Sequence, residues 1–232
     1  MHAAANAMPM PGPAPSLGSK WIKANVLAAI VFTLTGLVGV ASDTMLIVGR
    51  SPTVTTLWIA GAIGFSVVVV SFTAYAALTG AVLSAKLPAF SRRAWIALHG
   101  AIGAVIGAGV VAAYLDRTPL STESVVAPAG QIDVPFAAFL VLLIGPAVGA
   151  LFGGLQALVL RPAARGVLAW IARFATAGAA VTVFAAVISF FNPIRWESEL
   201  AYQVVSNGRT FVGLLLIAIV MLPALNRLTP KN

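Results

Sequence analysis

Six apolar stretches, each near the roughly 20 residues that a bilayer core demands, follow one another with short polar joints between them. They cover about 22–48, 57–83, 94–115, 135–160, 167–191 and 210–227. Lipid offers no partner for backbone N–H and C=O groups, so each stretch must satisfy its own hydrogen bonds as a helix. The expected fold is an all-α integral membrane protein: a six-transmembrane-helix bundle over 22–232, preceded by a tail over 1–21. Composition supports this. Only 9% of residues are charged and 60% are hydrophobic, where a soluble domain carries about 25% charged residues.

Charge placement orients the spans. Lys20, Lys23, Lys86, Arg92, Arg93, Arg161, Arg165, Arg227 and Lys231 fall on one side when the spans alternate, and Arg173 lies just inside the membrane on that side. Arg50, Arg117, Arg195 and Arg209 fall on the other, together with all six acids: Asp43, Asp116, Glu123, Asp133, Glu197 and Glu199. Basic residues mark the cytoplasmic face, so both termini are expected to be cytoplasmic. The net charge of +8 therefore reports orientation. Nucleic acid is not an expected partner, because no continuous basic face with interleaved aromatics exists.

The chain holds no cysteine and only two histidines, His2 and His99. Disulfides, thiolate ligands and iron–sulfur clusters are thereby excluded, and a zinc site would have to recruit a histidine from the tail. Residues 1–19 are small, Pro-rich and uncharged, without the basic start and apolar core of a signal peptide. A segment so poor in apolar anchors becomes ordered only against a neighbour, so the tail is expected to dock on a partner subunit. The loop 116–134 carries Pro119, Pro128 and Gly130 and reads as irregular. In 192–209, Asn192-Pro193 reads as a helix start and Asn207-Gly208 as its stop. Trp196, Leu200 and Val204 share one face between them, which fits a short outer amphipathic helix lying on the membrane surface.

The stretch 144–174 is the end of one span, a basic proline turn at Arg161-Pro162, and the start of the next. Its turn region, Gln156-Ala157-Leu158-Val159-Leu160-Arg161, is similar to hairpins of bacterial membrane proteins, and the expected location is a bacterial cytoplasmic (inner) membrane. Ala94-Trp95-Ile96-Ala97 recurs as Ala169-Trp170-Ile171-Ala172 at an offset of 75, which also carries Lys86 onto Arg161 and Gly103 onto Gly178. The second-to-third and fourth-to-fifth hairpins thus read as two copies of one unit in parallel orientation.

Polar groups at membrane depth are the default functional candidates. Asp43 lies near the outer end of the first span, where it either serves a translocation path or pairs locally with Arg50 or water. Gln156 and Arg173 lie ~6–9 Å deep on the two arms of one hairpin at about 1.5 Å per residue, which suggests a clamp between them or a lipid-headgroup site. His99, beside Gly100, Gly103 and Gly107, could be the single axial ligand of a pigment. Gly100, Gly103 and Gly107, like Gly145, Gly149 and Gly153, mark faces for close helix packing, within the chain or against a partner. A pigment or quinone at these faces is a further reading, and bound lipids are expected. Asp43 and His99 fall on opposite sides, so no hydrolase triad assembles. The function expected is a non-catalytic accessory or assembly subunit of a larger membrane complex. The alternative is a small-solute or ion transporter using Asp43, Gln156 and Arg173.

Overall fold

The computed structural model describes residues 16–47, 52–116, 143–191 and 199–231. Among them the chain is almost wholly helical: α1 (Leu17–Leu46), α2 (Val54–Lys86), α3 (Arg92–Leu115), α4 (Gly145–Leu160), α5 (Val167–Phe191) and α6 (Glu199–Arg227). Five of these contain a segment long and apolar enough to cross a membrane, so the chain is a multi-pass membrane protein. The sixth, α4, has 16 described residues, about 24 Å at the α-helical rise. The rest of its expected span, the loop over 117–134, the tail over 1–15, and Arg50 lie outside the described residues.

Short polar side chains start three helices. Ser16, Thr53 and Ser91 each accept from a backbone N–H three residues on, at 3.2 Å in every case, which satisfies a donor the helix leaves free. Pro146 occupies the first turn of α4, where a missing N–H costs nothing.

Several described boundaries shift by two or three residues, and the starts of α1 and α6 shift further. Helix α1 begins at Leu17, before the expected 22, because the Ser16 cap starts it and Trp21 belongs to the core. Helix α6 runs unbroken from Glu199 through Asn207-Gly208 to Arg227. A glycine inside a helix costs only about 1 kcal/mol, and the helix on either side of it outweighs that. The expected separate outer helix is therefore not bounded at Asn207-Gly208, and its first part, 192–198, lies outside the described residues.

The helices pack in a ring. Neighbours in sequence touch along α1–α2–α3 and along α4–α5–α6, α6 closes onto α1, and the α3–α4 seam is the loosest among the described residues. At one end of this ring lie the start of α1, the α2–α3 turn, the α4–α5 turn and the end of α6. The described lysines and most of the described arginines gather there, and it is called the basic end below.

Lysines tie that end together. Lys86 Nζ at the end of α2 donates to Leu225 O (2.5 Å) and Asn226 O (3.3 Å) at the end of α6. Lys231 Nζ donates to Arg161 O at the end of α4 (2.6 Å). Cations at helix C-termini offset the partial negative charge of unpaired carbonyls. A two-residue ribbon, absent from the sequence expectation, joins the same parts: β1 (Ala164–Arg165) pairs antiparallel with β2 (Thr229–Pro230). Gly166, at φ 83°, makes the turn out of it, and a Cβ there would press on Arg227 O.

The glycine faces pack within the chain. A Cβ built on Gly149 would fall on the carbonyl oxygen of Phe174, and one on Gly178 on that of Gly145. Gly145 meets Thr182 and Gly153 meets Ile171 and Phe174, so α4 and α5 are in backbone contact. Gly103 and Gly107 admit Phe72 and Phe65 of α2, and Gly100 faces Thr73 more loosely. In lipid, such close van der Waals packing is what holds helices together.

Candidate functional site

The feature that organises the basic end is a cluster of three tryptophans. Trp21, Trp95 and Trp170 lie near the starts of α1, α3 and α5, and all have zero solvent exposure. Trp170 sits between the other two, edge-on to both, with centroids 5.9 Å from Trp21 and 6.4 Å from Trp95. Edge-to-face pairs of this kind contribute about 0.5–1.5 kcal/mol each beyond their packing.

An indole N–H buried this deeply needs an acceptor, and each one finds it on the helix that precedes it around the ring. Trp95 Nε1 donates to Thr79 Oγ1 on α2 (3.1 Å), Trp170 Nε1 to Gln156 Oε1 on α4 (2.9 Å), and Trp21 Nε1 to Ala218 O on α6 (3.0 Å). The third pairing uses α6 as the partner of α1, so the same contact recurs three times around a closed ring. The separations agree: Trp21-Ile22, Trp95-Ile96 and Trp170-Ile171 lie 74 and 75 residues apart. Four residues after the tryptophan, Asn25 Nδ2 and His99 Nδ1 each lie 2.9 Å from the tryptophan's own carbonyl oxygen. In the third unit that place is Phe174.

Gln156 links two of the units. The Trp170 indole can only donate, so the Gln156 atom facing it is the amide oxygen. That fixes Nε2 as the atom 3.0 Å from His99 Nε2. An amide nitrogen only donates, so His99 Nε2 is the acceptor and Nδ1 carries the proton given to Trp95 O. The chain of contacts therefore determines one neutral histidine tautomer without any free choice. Gln156 and His99 are themselves fully buried.

The expected site residues are dispersed. Gln156 is engaged by Trp170 and His99, and its amide oxygen serves the indole rather than the expected Arg173 guanidinium. Arg173 is half-buried on α5, and Phe174 beside it faces the core. Asp43 accepts from the Tyr114 hydroxyl at 2.5 Å, which joins the far ends of α1 and α3. His99 has both ring nitrogens engaged inside the bundle, which leaves no lone pair facing outward for a pigment. Among the described residues, no group of three or more His, Asp or Glu side chains is placed to hold a metal ion.

Within the ring lies a cavity of about 350 Å³, walled by α1, α2, α4, α5 and α6. Gln156 and Tyr75 are its polar members nearest the basic end, and Phe32, Phe72, Phe152 and Phe174 supply aromatic walls. Ile144 (45% exposed) and Val148 (53%) form its open side. Sequence reasoning missed Trp21, Asn25, Thr79 and Tyr75. The signal for the first two was present as a third Trp-Ile pair, hidden because Lys20 and Lys23 replace the alanines around it.

No protein-family model, curated protein or solved structure matches the chain.

Proposed function

We propose that the protein is a non-catalytic subunit of a larger membrane assembly, a rigid six-span scaffold set in the cytoplasmic membrane of a bacterium with its basic end and both termini in the cytoplasm. The observation that carries this reading is the use made of the polar groups at membrane depth. Thr79, His99 and Gln156 each pair with another part of the same bundle, and Asp43 meets Tyr114 at the far end. A catalytic or translocating site keeps such groups free for substrate; these four act as struts. The lysine-rich basic end matches the cytoplasmic side of the positive-inside rule. Outward-facing side chains such as Leu34, Val105, Leu151 and Leu168 are more than half exposed and supply the surface for lipid and for neighbouring subunits.

Gentle solubilisation followed by native electrophoresis tests it. The expected result is co-migration with other membrane proteins in a fixed ratio, with the tail over 1–15 protected from protease only in the assembled form. Purification as a lone monomer with the tail cleaved at equal rate in the membrane and in detergent argues against it. Solute flux in vesicles that is abolished by Asp43→Asn or Arg173→Ala would replace it with transport.

A further inference from the structure

The central cavity has an unpaired donor in its wall. Tyr75 lies in its wall with 7% of its surface exposed. Its ring packs on His99 at 5.4 Å, but its hydroxyl meets no hydrogen-bond partner among the described residues. An unpaired hydroxyl in an apolar environment costs roughly 1–3 kcal/mol by mutational measures, so the wall holds a group poised for a partner that enters the cavity. Beside it, Gln156 has zero exposure and its amide is engaged by Trp170 and His99, so Tyr75 is the donor within reach of an occupant. No charged side chain lines the space.

Water is a poor occupant. A buried water needs 2–4 polar partners, and a space of this size would have to satisfy several waters with the Tyr75 and Thr182 hydroxyls and otherwise apolar walls. A saturated acyl chain would fit the apolar walls and leave the Tyr75 hydroxyl unpaired. The wall chemistry calls for a neutral body, a flat face to stack among phenylalanine rings, and an acceptor oxygen at its buried edge. Phe32 and Phe72 already meet edge-on at 5.5 Å, and Phe72 and Phe152 lie at 6.0 Å, so the lining is built from mutually packed rings. The open side at Ile144 and Val148 lies at membrane depth, so the ligand enters from lipid.

We propose that this cavity binds the ring of a quinone-class molecule, with a ring carbonyl accepting from the Tyr75 hydroxyl. The site is independent of the assembly reading, since an isolated monomer holds the same cavity.

The test uses the full chain in nanodiscs of phosphatidylcholine and phosphatidylglycerol, titrated with decylubiquinone and followed by tryptophan quenching. Trp170 is the reporter, because it contacts both Gln156 and Phe174. Wild type is expected to show a saturable phase at one quinone per chain. Tyr75→Phe keeps the ring and removes the donor, and should weaken binding roughly fivefold. Val148→Phe, at the exposed rim, should abolish the saturable phase by filling the mouth. Oleate at equal concentration should fail to displace the quinone.

Absence of a saturable phase in wild type overturns the proposal, as does an affinity unchanged in both variants. Displacement by oleate at equal affinity makes the cavity an acyl-chain site and overturns the carbonyl-ring assignment. A second measurement needs no ligand: quinone-free Tyr75→Phe should be at least as heat-stable as wild type. A clear loss of stability would mean that the hydroxyl already has a partner and is not waiting for one.

Discussion

Replacing Gln156 with leucine is the sharpest perturbation of the bundle. The change keeps an apolar side chain of similar length and good helix propensity, but removes both ends of a bridge. It leaves the Trp170 N–H and His99 Nε2 without partners, in residues with zero exposure. A buried group left unpaired costs about 1–3 kcal/mol, so two give about 2–6 kcal/mol. Interhelical hydrogen bonds in membranes average only about 0.6 kcal/mol by double-mutant cycles, because the unfolded chain in lipid finds other partners. That figure describes coupling between two groups, whereas this truncation leaves orphans inside packed protein. The larger estimate governs. We expect a loss of about 3 kcal/mol, in the lower half of the two-orphan range because unfolded-state partners recover part of the cost. The assay is unfolding in mixed micelles as the fraction of dodecyl sulfate rises, followed by tryptophan fluorescence and far-ultraviolet circular dichroism. Gln156→Glu supplies the control: in its protonated form the carbonyl accepts from Trp170 and the O–H donates to His99, so most of the loss should return as the pH is lowered. A Gln156→Leu protein within about 0.5 kcal/mol of wild type would refute the reasoning, as would a glutamate variant no better than leucine.

Asn25 should behave in the opposite sense. Its Nδ2 donates to a helix carbonyl and its Oδ1 is buried without a partner, so Asn25→Leu should be neutral or stabilising by up to about 1 kcal/mol in the same titration. Gly149→Ala drives a methyl onto the Phe174 carbonyl and should cost more than about 2 kcal/mol, whereas Gly154→Ala enters open space and should be harmless. Lys86→Met removes the tie to the last carbonyls of α6 and should lower stability by about 1 kcal/mol, discounted for its partial exposure. Hydrogen exchange should show the added opening in α6 near Leu225.

The helical course was legible because lipid leaves a chain no other way to pair its backbone. The expected span over 167–191 coincides with α5, and the glycine faces announced close packing without saying whether it lay within the chain or against a partner. Azimuth was harder to read than depth. Gln156 and Arg173 do lie on adjoining arms, but Trp170 rather than Arg173 turns toward the α4 face that carries Gln156. Ring closure was hidden for a different reason. The third copy of the tryptophan unit is split across the termini, with Trp21 at the start and its acceptor Ala218 near the end, a contact no local pattern announces. Tyr75 carried no signal at all, since an aromatic in an apolar run reads as ordinary core.

Closure of the ring by α6 onto α1 underlies the tryptophan cluster, the cavity and the threefold recurrence alike. The chain has no native cysteine, so a pair placed by Gly18→Cys and Leu222→Cys reports it directly. A Cβ on Gly18 lies 3.6 Å from the Leu222 side chain, and mild oxidation in native membranes should give an intramolecular disulfide in most chains. Thiols that stay reduced, or that link only different chains, would contradict the account.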